Sequence, residues 1–149
     1  MTAPLTLPLA LTLTECCAVA LSEAAAVLDS ARCWEGFLAA IEGNHRLWLA
    51  MTVEEVRGVL VVPIEQRTID FVMSMSYRAG RGISDRHVEA LIGIDKRMSA
   101  ALIASDDFPA IRQRVELVRK STLGDGMALG TWLMAEIERR CRLWSKDPT

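Results

Sequence analysis

Histidine and tyrosine, which often take part in catalysis, are scarce in this sequence. Its 149 residues include two histidines and one tyrosine, and neither G-x-x-x-x-G-K nor G-x-G-x-x-G occurs. Neither histidine lies in a glycine-rich elbow or in another catalytic signature. Loops that bind phosphate and sites with an activated nucleophile are therefore not indicated. We expect a protein that is not an enzyme and that needs no cofactor.

Export signals and membrane spans are not indicated either. No Lys or Arg precedes Arg32, so the apolar N-terminal stretch has no positively charged start of the kind that signal peptides have. Glu15 and Glu23 interrupt that stretch before it reaches the roughly 20 apolar residues needed to cross a bilayer. The four cysteines form no C-x-x-C pair, which favours free thiols in a reducing compartment. These features predict a cytoplasmic protein.

Metal and nucleic-acid sites find little support among the remaining polar residues. Glu42 and His45 have the Glu-x-x-His spacing of di-iron bundles, but no second copy occurs, so no metal site is expected. The net charge of −2 excludes a broad basic surface for phosphate groups. Basic residues do gather in the C-terminal third, at Arg112, Arg114, Arg119, Lys120, Arg139, Arg140 and Arg142. We interpret them as a solvated face balanced by glutamates, and nucleic acid is not expected as a partner.

Helical periodicity runs along almost the whole chain. Pro4 and Pro8 disfavour helix before Thr12 or Thr14, either of which can cap the first helix. Further helices are predicted from about 34 to 51, from Pro63 to about 79, after Ser84, from 108 to 120 and from 127 to 144. The prediction is an all-α single-domain bundle of five or six antiparallel helices. Residues 1–12 form an irregular lead-in and residues 13–146 the helical domain.

A group of polar and aromatic residues lies within the second predicted helix. Asn44, Arg46 and Trp48 lie within little more than one turn, and on the fourth helix Asp95 falls within an otherwise apolar stripe. A buried carboxylate is costly unless it is paired or hydrogen-bonded. We therefore predict a tie between Asp95 and an arginine, Arg46 or Arg67, with Trp48 stacked beside it. Such a tie has a structural role first and would fix the shape of a groove.

The same residues also match the sequence motif of a known protein family. Residues 41–104 resemble the FlaF family of flagellar biosynthesis regulators, whose N-x-R-x-W pattern matches the "NHRLW" stretch. The segment "VEALIGIDKRMSAAL", residues 88–102, is similar to the family's F-x-P-L-I-x-I-N-x-x-M-x-x-G-L. The matching positions outside that segment are Asn44, Arg46, Trp48, Pro63 and Arg67. Asp95 stands where the family has Asn, and residues 106–146 form an additional C-terminal helical hairpin that the family generally lacks.

The resemblance implies a small helical protein without catalytic activity. It implies a role in promoting flagellin synthesis and secretion, opposite the translational repressor FlbT, with flagellin and an FlbT-like regulator as partners. Flagellin's terminal segments are amphipathic helices, so the implied mode of binding is a helix held in a groove. The positions carried over as partner-binding or groove-organising are Asn44, Arg46, Trp48, Arg67 and Asp95.

Two other functions remain open on the residues alone. The chain could be an oligomerising regulatory or scaffold module unrelated to flagella, with Trp132, Leu133, Ile137 and Trp144 as a homodimer face in the C-terminal helices. A small-ligand site lined by His45, Tyr77 and His87 is the third class. A deep pocket that unites those three side chains would favour it.

Overall fold

The computed structural model describes residues 11–52, 58, 60, 64–78, 82–104, 106–122 and 127–145. These residues form six helices and no strand, which confirms the predicted all-α bundle. The helices are α1 (Leu13–Ser30), α2 (Trp34–Met51), α3 (Gln66–Tyr77), α4 (Asp85–Leu102), α5 (Phe108–Ser121) and α6 (Leu129–Ser145). Residues 1–10 of the predicted lead-in and Pro63 lie outside the described ranges.

Two helices begin at capping residues that the sequence predicts. The Thr12 hydroxyl accepts from the backbone N–H of Glu15 at 3.1 Å, and the Glu15 carboxylate accepts from the backbone N–H of Thr12 at 2.9 Å. Ser84 and His87 form the same reciprocal arrangement before α4, with the imidazole in place of a carboxylate. Each arrangement satisfies two N–H groups that a bare helix start leaves unpaired.

Helix α3 is shorter than predicted. It begins at Gln66, after Glu65 in an extended conformation, and it ends at Tyr77 rather than near residue 79. Gly82 has a φ of 76°, in the left-handed region that a glycine occupies at little cost. The helix therefore ends before this glycine.

Helix α1 is the centre of the bundle. Six consecutive residues, Cys16 to Leu21, are buried, so its N-terminal half is enclosed on every side. A helix that is apolar all round is stable only inside a protein. Helix α1 packs most extensively against α4 and also contacts α2, α5 and α6. Burial raises the pKa of the Cys16 thiol to about 11, so this cysteine behaves as a small apolar side chain.

The two C-terminal helices pack on α1 more than on each other. Arg112 of α5 pairs with Glu23 of α1 at 2.7 Å, and Arg114 pairs with Glu15 at 2.5 Å. Arg140 of α6 donates to the backbone carbonyl of Leu11 at 2.7 Å. The additional helices are thus joined to the central helix by charged hydrogen bonds near the surface.

Most of the side chains predicted as a dimer face are buried in the core of the protein. Trp132, Leu133 and Ile137 are buried against the core, because the apolar stripe of α6 faces α1 and α2. That part of the prediction is wrong, since these three side chains are not available to a second copy. The side chain of Trp144 lies outside the described part. Among the described residues, no helix combines the length and the apolarity that a bilayer crossing requires.

Candidate functional site

Asp95 is fully buried on the inner face of α4. Its neighbours one turn away on the same stripe are Leu91 and Ser99, and both are buried as well. The Ser99 hydroxyl donates to the carbonyl oxygen of Ala18 at 2.7 Å, which leaves the carboxyl group of Asp95 to find other partners. An unpartnered carboxyl in this position would destabilise the fold by several kcal/mol, roughly the cost of an unpaired buried charge.

Two side chains of α2 supply those partners. The indole N–H of Trp48 donates to Oδ1 of Asp95 at 2.8 Å, entirely within the core. The amide nitrogen of Asn44, in the orientation that satisfies both ends of the amide, lies 3.1 Å from Oδ1 and 2.5 Å from Oδ2. Asn44 and Trp48 are four residues apart, so they lie on one face of α2. We call Asn44, Trp48 and Asp95 the buried polar cluster.

The surroundings of Asp95 change its acidity. Burial raises the pKa of Asp95 to about 7, and the hydrogen bond from Trp48 works against that rise. The Asn44 amide donates to the same carboxylate in its ionised form, so it acts in the same direction as Trp48. The carboxyl group thus changes its charge close to neutral pH.

The predicted tie between Asp95 and an arginine is wrong. Arg46 lies on a different face of α2 and forms two hydrogen bonds with Glu138 of α6, at 2.5 and 3.2 Å. Arg67 is exposed on α3 and is not among the partners of Asp95. Uncharged N–H groups replace the guanidinium because the interior around Asp95 is closed to a solvated cation.

A groove of about 530 Å³ runs between α1, α2 and the start of α6. Its lining is dominated by small side chains, with a few charged groups along the edge. The lining residues are Ala20, Glu23, Ala24, Val27, Ala39, Ala40, Glu42, Gly43, Asn44, Arg46, Leu47, Ala128, Gly130, Thr131, Met134 and Ala135. Because alanine and glycine do not fill the space where three helices meet, a channel is left at the surface.

The groove and the buried polar cluster share one wall. Asn44 belongs to both, since its amide reaches Asp95 while the residue borders the groove. Arg46 lies at the groove edge, where its pair with Glu138 joins α2 to α6. Of the five site residues carried over from the resemblance, the structure therefore brings together Asn44, Trp48 and Asp95, places Arg46 beside them and leaves Arg67 apart.

The sequence did contain a signal for the groove. Small residues recur at a spacing of four on all three helices, so each pair lies on one helical face. The pairs are Ala20 and Ala24 on α1, Ala39 and Gly43 on α2, and Thr131 and Ala135 on α6. The periodicity of large apolar residues does not detect such faces, which is why the prediction missed them.

The three side chains considered for a small-ligand site have different surroundings. His45 shares a hydrogen bond with Ser76 through Nδ1 at 3.0 Å, and His87 caps α4. Tyr77 is exposed. None of the three lines the groove. Within the described ranges, no three metal-binding side chains form a group, and Glu42 and His45 therefore have no third candidate ligand there.

The basic residues of the C-terminal third are largely neutralised. Arg112 and Arg114 pair with carboxylates of α1, as described above, and Arg119 pairs with Glu116 at 2.7 Å. Arg139 and Arg140 both lie against Glu136 on α6. These contacts support the interpretation of a charge-balanced face.

Comparison with protein-family models, with curated proteins and with solved structures finds no match to this chain.

Proposed function

We propose that this protein is a non-enzymatic, FlaF-like factor of flagellum biogenesis that works in the cytoplasm. It binds an amphipathic terminal helix of flagellin in the groove between α1, α2 and α6, and so promotes flagellin synthesis and secretion. One observation carries the proposal: Asn44 and Arg46, two residues of the N-x-R-x-W pattern, border that groove, and Trp48 anchors its wall.

The lining of the groove supports a helical partner. Small side chains such as Ala24, Gly43 and Ala135 allow the backbone of a docked helix to approach closely. Val27 is 46% exposed at the α1 edge and adds apolar surface. An amphipathic helix would bury its apolar face there and keep its polar face in water.

The contacts behind the groove support a preformed site. The buried polar cluster joins α2 to α4, and the Arg46–Glu138 pair joins α2 to α6. Helix α2 is therefore held on two sides, and the wall that it contributes does not have to be ordered when a partner binds. Preorganisation of this kind lowers the entropic cost of association.

Binding of flagellin peptides tests the proposal. Synthetic peptides that cover the N- and C-terminal helices of the flagellin encoded in the same genome should bind the full-length protein, with Kd values of about 1–50 μM. The variant Gly43→Leu should weaken that binding at least about tenfold, because the new side chain occupies the groove and a loss of 1.4 kcal/mol is tenfold. Nothing lies within 4 Å of a Cβ added at Gly43, so the β-carbon of the new residue meets no neighbour, and circular dichroism checks that the variant is folded.

A matched variant separates groove filling from added hydrophobicity. Ala90→Leu adds a similar apolar side chain to an exposed position of α4 that does not line the groove. It should bind the peptides as the unmodified protein does. The proposal fails if the folded protein shows no binding at about 50 μM peptide, or if both leucine variants bind equally well. Neighbouring genes for flagellin or an FlbT-like regulator would add independent support.

A further inference from the structure

The buried polar cluster joins a titratable group to two uncharged donors. The Trp48 indole has a single N–H and cannot accept a hydrogen bond. The Asn44 amide differs, because it presents either an NH₂ group or a carbonyl oxygen according to which way it is turned. With the oxygen towards Asp95, the NH₂ group faces only donors, so that orientation requires a proton on the carboxyl group. Asp95 therefore has one fixed partner, at Oδ1, and one reversible partner, at Oδ2.

The distance to the reversible partner is better suited to the protonated state than to the ionised one. In the ionised state, the Asn44 NH₂ group donates to the carboxylate. In the protonated state, Oδ2 carries the proton and donates it to the carbonyl oxygen of the reversed amide, while Trp48 still donates to Oδ1. The separation of 2.5 Å is short for an N–H···O bond, but it lies within the range of O–H···O bonds, about 2.5–3.0 Å.

We propose that Asp95 and Asn44 form a proton-operated switch, in which a proton taken up by Oδ2 reverses the Asn44 amide and its release turns the amide back. The switch operates near neutral pH, because burial raises the pKa of Asp95 to about 7. The switch itself does not depend on the proposed function.

Among the described residues of the neighbouring helices, the other titratable and charged side chains are buried thiols, are bonded to other groups or are exposed, so none of them accounts for the titration of Asp95. On α1, Glu15 and Glu23 pair with arginines of α5, Asp29 is exposed, and Cys16 and Cys17 are buried thiols. On α2, His45 bonds to Ser76, Arg46 pairs with Glu138, and Glu35 and Glu42 are exposed. On α3, Arg67, Asp70, Tyr77 and Arg78 are exposed, as are Asp85, Arg86, Glu89, Lys96 and Arg97 on α4 itself. Burial and the Trp48 hydrogen bond are the causes of the shifted pKa of Asp95.

Nuclear magnetic resonance of the unmodified full-length protein tests the switch directly, and variants are needed only to assign the signals. The carboxyl carbon of Asp95 should titrate with a midpoint of about pH 6–8, against about 4 for an ordinary aspartate. The Asn44 NH₂ resonances and the Trp48 indole N–H should shift with the same midpoint. Spectra of Asp95→Asn, Asn44→Ala and Trp48→Phe identify the three sets of signals. A midpoint near pH 4, no titration, or an Asn44 amide that does not respond with Asp95 would overturn the proposal.

Unfolding at several pH values provides a second test. Asp95 is more easily protonated in the folded state than in the unfolded one, so its contribution to stability declines as the pH rises from about 4 to about 7 and then levels off. Asp95→Asn mimics the protonated state, because its NH₂ group donates to the reversed Asn44 amide. The urea midpoint of this variant should therefore rise relative to the unmodified protein between pH 5 and pH 8. The control Asp70→Asn changes an exposed carboxylate on α3 and should leave the pH dependence as it was. Identical pH profiles for Asp95→Asn and the unmodified protein would contradict the switch.

Discussion

The contact between α2 and α4 differs in kind from the contacts that hold the two C-terminal helices. Helix α4 meets α2 through one buried carboxyl group and two uncharged donors, all three of them inaccessible to solvent. Helices α5 and α6 bury apolar side chains in the core, and their side-chain ion pairs with the rest of the bundle are arginine–glutamate pairs whose arginines remain partly exposed. Both contacts contain hydrogen-bonded carboxylates, yet the expected cost of breaking them differs.

The difference follows from solvent access. A surface ion pair replaces good hydration with a similar interaction, so its removal changes stability by about 0–1 kcal/mol. The buried cluster has no water to replace a lost partner, so the removal of one donor leaves a desolvated group at a cost of about 1–3 kcal/mol. The α2–α4 contact should therefore be sensitive to single substitutions, whereas the surface ion pairs of α5 and α6 should tolerate them.

The largest effect is expected from Trp48→Ala, which removes one member of the buried polar cluster. Loss of the indole removes core volume and also removes the N–H group that donates to Oδ1 of Asp95, so the free energy of unfolding should fall by roughly 3–5 kcal/mol or more. Trp48→Phe retains most of the ring and should cost less. Urea titration of both variants measures the difference. A loss below about 1 kcal/mol for Trp48→Ala would show that the cluster does not hold these helices together.

An intermediate effect with a marked pH dependence is expected from Asn44→Ala. The Asn44 amide favours the ionised carboxylate, so its removal should raise the pKa of Asp95 further. The destabilisation, about 1–3 kcal/mol, should be greater at pH 8, where Asp95 is charged, than at pH 5. Denaturant titrations at the two pH values test this. A cost that is independent of pH would mean that the amide stabilises the charged form of Asp95 no more than the protonated form.

The smallest effect is expected at the surface pair of Arg46 and Glu138. A double-mutant cycle with Arg46→Ala and Glu138→Ala should give a coupling energy of about 0.2–1 kcal/mol, because both side chains retain contact with water. The coupling should decrease in high salt. A value above about 2 kcal/mol that salt does not change would place this pair in the same energetic class as the buried cluster.

The sequence predicted the helices better than it predicted what lies between them. Apolar periodicity and capping residues located α2 and the start of α4, because these signals are local. The pattern also showed that Asp95 required a partner. It did not show which one, since the choice between an arginine and the Trp48 indole depends on the distance between two helices far apart in the chain.

The groove was missed for a related reason. A position occupied by alanine or glycine appears neutral in a sequence, and only the meeting of three such helical faces creates the channel beside Gly43. Arg46 was selected both from its place in the polar group of α2 and from the resemblance, and its position at the groove edge was not predictable from spacing. The functional role of the groove, of Arg67 and of the C-terminal helices stays a prediction.

The location of a bound flagellin helix tests the central claim most directly. In a two-dimensional NMR titration of the full-length protein with the terminal flagellin peptides, the shifts should concentrate on backbone amides of the groove, such as those of Ala24, Gly43 and Thr131. Amides on the exposed face of α4, such as those of Ala90 and Ala101, should stay unchanged. Shifts that are centred on α4, or a peptide that binds without any effect on the groove amides, would contradict the account.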